Sequence, residues 1–137
     1  MSTSIPVQHH EDEAAGRSAV FTRVPPHDLS AEQAVVGTLI SAGGPAGGRY
    51  VAETLETGIR PEDYYRPAHA LIHRAVCDLR QAGEPVDVVT VTDELTRRGE
   101  LARAGGAVYL HTCVQAVPTA ANGPYYAEIV RARHPAG

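Results

Sequence analysis

The side chains of this 137-residue sequence that could do chemistry are its histidines, carboxylates, cysteines and one glycine-rich run. His69 and His73 stand four residues apart, with Ala70, Leu71 and Ile72 between them. A helix places both imidazoles on one face, as for two ligands of a zinc ion. The glutamate that zinc proteases carry inside such a pair is missing, and a third ligand would have to come from elsewhere. The packing alternative sets His69 beneath the Tyr64–Tyr65 turn and His73 nearer solvent. His9 and His10 adjoin Glu11, Asp12 and Glu13. Nothing rigid holds those ligand types at fixed distances, so a solvated tail is the better reading. No metal site is assigned.

Other chemistry fails on pattern. The run from Ser41 to Arg49, SAGGPAGGR, is rich in glycine. No Gly-Lys-Ser/Thr follows it and no strand pattern precedes it, so it reads as a linker and not a phosphate cradle. There is no GxSxG to seat a serine nucleophile. Asp28, Glu62, Asp63, Asp87 and Asp93 fall at expected helix starts, where the backbone dipole favours a carboxylate. Cys77 and Cys113 are isolated, lack CxxC spacing and read as buried free thiols in a reducing compartment. Catalytic, cofactor-binding and metal-ligating residues are therefore expected to be none, and cofactors none.

Composition sets the limits. Hydrophobic residues make up 43% and aromatic residues 5%, with no Trp and one Phe. The core must be built from Ala, Val, Leu and Ile, and small side chains each bury little area, which implies modest stability. Net charge is −4, and the sequence contains no Lys, so every cationic side chain apart from histidine is an Arg. From Pro25 to Glu100 there are 7 Arg against 12 acidic residues; from Leu101 on, Arg103, Arg131 and Arg133 face Glu128 alone. That balance is a poor footprint for nucleic acid, whose binding rests on phosphate neutralisation. No signal peptide and no apolar run near 18 residues is present, so the expected location is cytoplasmic and no membrane contact is expected.

The elements that must position these residues read as helices. Met1 to Val24 is polar and expected to be a disordered tail, with residues 135–137 a second short tail. Between them, residues 25–134 form one domain. Pro25 to Ile40 is the stretch the rest is organised around. Ala31, Ala34, Val35, Thr38 and Leu39 share one helical face; Asp28 or Ser30 can cap the first free amides, and with Ser30 as cap Gln33 is placed for a capping box. Arg49 to Glu56 forms a short helix ended by Gly58. Arg66 to Gln81 follows, with Pro67 in its first turn, Gly83 beyond its end, and a stripe of Ala68, Ile72, Ala75, Val76 and Leu79. VDVVTVT, residues 86–92, is β-branched and could be a strand. Asp87 as cap, Thr90 three residues on, and the face of Val88, Val91, Thr92 and Leu95 argue instead for a helix from Val88 to Arg98. A helix entered at Gly105–Gly106 runs to about Gln115, Pro118 breaks it, and Asn122 caps a last one from Gly123 to His134, with Tyr126, Ile129 and Val130 inward. The expected fold is all-α, a small orthogonal bundle of about six short helices.

In order and in register, these motifs resemble the N-terminal domain of DnaB-type replicative DNA helicases. The opening is Pro25-Pro26-His27-Asp28-Leu29-Ser30-Ala31-Glu32-Gln33-Ala34-Val35-Val36-Gly37. Asp63-Tyr64-Tyr65 with His69 and Ile72 follows, then Gly83-Glu84-Pro85-Val86-Asp87-Val88-Val89-Thr90. Arg98-Gly99-Glu100-Leu101, Gly105-Gly106 with Tyr109-Leu110, and Pro118, Ala121-Asn122, Tyr126-Ala127 and Ile129-Val130 complete it. The resemblance spans Val24 to Arg133. It implies an all-α head without catalytic residues, part of a collar on a hexameric ring. The head and a following helical hairpin pack as dimers and help recruit a DnaG-type primase. It places ATP hydrolysis and translocation in a separate RecA-like domain.

That RecA-like domain has no counterpart in the 137 residues, which stop where the hairpin would begin. The expectation is a non-enzymatic protein-interaction module whose partners are a replicative helicase or primase. Alone it should be a monomer or weak homodimer without strong direct binding to nucleic acid. The alternatives are a truncated helicase remnant, or a small helical regulatory or DNA-associated domain outside replication.

Overall fold

The computed structural model describes residues 26–41 and 47–132. The tails at residues 1–24 and 135–137, the His9–Glu13 cluster and most of the SAGGPAGGR run lie outside them. Six α-helices and two 3-10 turns occur among the described residues, and no strand. They are α1 (Pro26–Leu39), α2 (Gly47–Leu55), α3 (Pro67–Gln81), α4 (Val88–Arg97), α5 (Gly106–Gln115) and α6 (Gly123–Ala132). The 3-10 turns, Pro61–Asp63 and Ala120–Asn122, precede α3 and α6. None of the described helices is long and apolar enough to cross a membrane.

Helix α1 is the core of the bundle. It touches α2, α3, α5 and α6, and Val35, Val36, Leu39 and Ile40 are all fully or almost fully buried. The one-sided face expected from periodicity is only part of this burial; from Ala34 onward the helix is covered all round. It begins at Pro26, so Ser30 lies inside it and the expected Ser30–Gln33 capping box does not form. Proline needs no amide partner in a first turn, which lets the helix start upstream of the serine.

Helix α1 can be central because glycines, its own Gly37 and Gly123 of α6, let other helices come close to it. A Cβ on Gly37 would lie 2.1 Å from the Cys113 carbonyl oxygen of α5. One on Gly123 would lie 2.2 Å from Thr54 Oγ1 and 3.0 Å from Thr38 Cγ2. The two buried threonine hydroxyls are satisfied within their own helices, Thr38 by Ala34 O at 2.8 Å and Thr54 by Tyr50 O at 2.7 Å.

The ambiguous VDVVTVT run is helical for a local reason. Asp87 Oδ1 accepts from the Thr90 amide at 2.8 Å, while Thr90 Oγ1 accepts from the Asp87 amide at 2.9 Å. This reciprocal cap satisfies two amides and starts α4, overriding the β-branched content. Val91 and Leu95 then bury fully. Asp93 is not at a helix start; it sits within α4, 3.7 Å from Arg97.

Candidate functional site

The expected stripe of α3 is shared by its two histidines. His69 and His73 are each 1% exposed and stand beside Ile72, Ala75, Val76 and Leu79. His73, expected nearer solvent, is instead held under the Tyr64 ring, whose hydroxyl meets its Nδ1 at 2.7 Å. The imidazole and phenol cross edge to face at 5.3 Å between centroids. Burial lowers the His73 pKa to about 4, although the Asp63 carboxylate acts in the other direction. The ring is therefore neutral at pH 7, and Tyr64 O–H donates to Nδ1.

His73 should make folding stability depend on pH. Its folded pKa lies below the unfolded value of about 6.5, so the unfolded chain binds more protons between the two. Its contribution is complete above about pH 6.5 and is lost as pH falls toward 4, to a limit of about 3 kcal/mol. Urea midpoints measured from pH 7 to pH 4 should fall, and more steeply in the native chain than in His73→Gln. Parallel slopes would contradict the assignment.

His69 joins three helices. Its Nδ1 lies 2.7 Å from Glu32 Oε1 of α1, and its Nε2 lies 2.7 Å from the Tyr109 hydroxyl of α5. Glu32 is fully buried. Its Oε1 also accepts from the Arg66 amide at 3.2 Å, and its Oε2 accepts from the Tyr65 amide. These are free donors at the start of α3, here satisfied by a carboxylate from another helix. One tautomer serves both contacts: Nδ1–H donates to the Glu32 carboxylate, and Nε2 accepts from Tyr109 O–H. The Tyr109 and His69 rings stack at 5.9 Å.

Hydroxyl, imidazole and carboxylate in this order have the layout of a nucleophile relay. Such a relay works by making the hydroxyl easier to deprotonate. Here burial pushes the Tyr109 phenol up to about 12, so it remains a hydrogen-bond donor at neutral pH. The chain Glu32–His69–Tyr109 is a strut that ties α1, α3 and α5 together. Both His69 ring nitrogens are committed to it, and among the described residues no group of three or more metal-ligating side chains converges.

Of the two cysteines, Cys113 interacts with the strut's Tyr109. Cys113 is buried and its thiol is pushed up to about 11, while Cys77 is only partly buried; both are free. At the outer end of the strut a cavity of about 200 Å³ opens, lined by Leu29, Ser30, Gln33, Arg66, His69 and Tyr109. None of its polar members except His69 was singled out from sequence by chemistry. Glu32 was equally hidden, appearing only within the opening motif. The available signal was an acid next to the apolar stripe of one helix, with a histidine on the buried stripe of another.

Six helices and no strand among the described residues define an all-α module. Comparison with known proteins gives the family. A family model described as DnaB-like helicase N terminal domain matches residues 24–132, and the chain belongs to that family. It is 51% identical over 108 residues to the replicative DNA helicase DnaB of Leifsonia xyli subsp. xyli, covering 79% of this chain and 22% of that protein. It is 48% identical over 122 residues to the replicative DNA helicase DnaB of Mycobacterium leprae, covering 89% of this chain and 19% of that protein. The crystal structure of the N-terminal domain of DnaB helicase from Mycobacterium tuberculosis superposes with a TM-score of 0.70 at 50% identity, over 80% of this chain and 74% of that one. The chain thus spans about a fifth of the length of these curated relatives.

Proposed function

We propose that this chain is a non-catalytic protein-interaction module of a DNA-replication assembly, with a replicative helicase or a primase as partner. The observation that carries this reading is its match, at about half identity, to the N-terminal part of replicative helicases. The site supports it: the relay-like residues are spent on holding three helices together, and the phenol at its end is not activated. The module acts as a monomer or weak homodimer. Its location is the cytoplasm, where such partners work.

The purified chain should turn over no ATP and unwind no duplex. A P-loop needs a lysine on the phosphates, and the sequence has none. Phosphate release from ATP is the measurement; turnover that survives repurification would overturn the non-catalytic reading. Salt-sensitive DNA binding tighter than about micromolar would favour a DNA-associated domain instead.

A further inference from the structure

Arg66 stands at an unusual place. Arg60, Arg97, Arg98, Arg103, Arg49 and Arg131 each lie within ion-pair distance of a carboxylate on the same or a neighbouring element. Among the described residues the Arg66 guanidinium makes no such pair. The exposed Arg74 and Arg80 make none either; Arg66, itself exposed, differs in lining a cavity that no carboxylate shares. Ser30 and Gln33 complete the polar wall. Glu32 lies behind His69, with both oxygens engaged by the start of α3.

Ser30 and Gln33 line a second space as well, an adjoining groove of about 390 Å³ between α1, α6 and the end of α5. Its floor and walls are apolar: Ala34, Ala116, Pro118, Tyr126 and Ile129. Tyr126 and Ile129 are only partly buried there. One ridge therefore separates a cationic, donor-lined cavity from an apolar groove.

We propose that the cavity and groove together dock a partner polypeptide segment in which an acidic side chain stands beside an apolar one. The carboxylate pairs with Arg66 and takes hydrogen bonds from Ser30 and Gln33, and the apolar side chain lies against Tyr126 and Ile129. The cavity has the size of a side chain and is smaller than a site for a whole small ligand, which runs to about 300 Å³ or more. One guanidinium matches one planar carboxylate in a two-bond fork. It does not match a nucleic-acid backbone, which needs a row of cations that this acidic chain lacks here. The proposal rests on the interaction-module reading and supplies its surface.

The test is a nitrogen-15 NMR titration of the full chain with the blocked dipeptides N-acetyl-Leu-Glu-amide and N-acetyl-Leu-Gln-amide at constant ionic strength. The Glu probe should shift the Ser30, Gln33 and Tyr109 amides saturably, with a dissociation constant of about a millimolar. It should bind about tenfold tighter than the Gln probe. Arg66→Gln should erase that preference and leave the Leu-Gln affinity unchanged. The Arg66 side chain makes no cap bond to α3, so the variant should keep its thermal midpoint. Ala116→Arg, at an exposed position, should block both probes. Equal affinity for the probes, a preference that survives in Arg66→Gln, or shifts confined to another face would overturn the proposal. Binding of a purified helicase or primase is measured alongside. If it persists equally in native and Arg66→Gln chains, the module stands and this surface is wrong. If the Glu preference holds but neither protein binds, the surface stands and the module reading falls.

Discussion

Glu32→Ala should unfold most of the chain's stability in a single substitution. The carboxylate accepts from the Tyr65 amide, the Arg66 amide and His69 Nδ1, all at the centre of the bundle. Alanine leaves the His69 donor facing a dry void and strips the Tyr65 and Arg66 amides of their partner. An orphaned buried donor costs about 1–3 kcal/mol, and three donors lose their partner at once. The expected loss is about 4 kcal/mol, which for a domain of this size lowers the thermal midpoint by about 15 °C or more. Urea and thermal melts followed by circular dichroism measure both. Glu53→Ala is the control, since its pair with Arg49 is exposed and should be worth under about 1 kcal/mol. A loss below about 1 kcal/mol for Glu32→Ala would mean that the strut is not what joins α1, α3 and α5.

Gly37→Ala should cost nearly as much by the opposite mechanism. The added methyl would sit 2.1 Å from a backbone carbonyl oxygen, that of Cys113, and 2.6 Å from Val117 Cγ2. A side chain could rotate away; the carbonyl cannot. It also accepts from the Ala116 amide at 3.2 Å, so moving it disturbs the end of α5. Overpacking of this kind costs about 1–3 kcal/mol, and the upper end applies where the clash is with backbone. Gly48→Ala provides the contrast. Nothing lies within 4 Å of its would-be Cβ, and it stands early in α2. It should be neutral or stabilise by up to about 1 kcal/mol, because alanine is the better helix former. If Gly37→Ala melted with Gly48→Ala, the close crossing of α1 and α5 would be wrong.

Both effects fall on α1, and sequence revealed only half of its role. Helix propensity, caps and breakers are local, so the helices themselves were readable. Pro67 and Gly83 bracket α3, and Gly83 takes the left-handed conformation at φ 75° that ends it. Asp87 and Thr90 settle α4 within four residues. Boundaries were less secure where proline and serine compete: Ser30 looked like a cap, yet α1 begins at Pro26.

Long-range pairing was not readable. Glu32 and His69 are 37 positions apart, and His69 and Tyr109 are 40 apart. No periodicity connects them. A histidine on a buried stripe has several possible partners in sequence, and only the packing of three helices selects one. The same holds for His73, whose partner Tyr64 lies outside α3 in the preceding connection. The Arg66 cavity was hidden for the same reason, since its walls come from α1, α5 and the start of α3.

Direct binding of the purified chain to a purified replicative helicase and primase from one cell is the decisive measurement. At physiological salt, after nuclease treatment, the chain should bind one of the two with about micromolar affinity or tighter, as a small transient interface does. No binding to either at concentrations a hundredfold higher, together with capture of duplex DNA, would contradict the interaction-module reading.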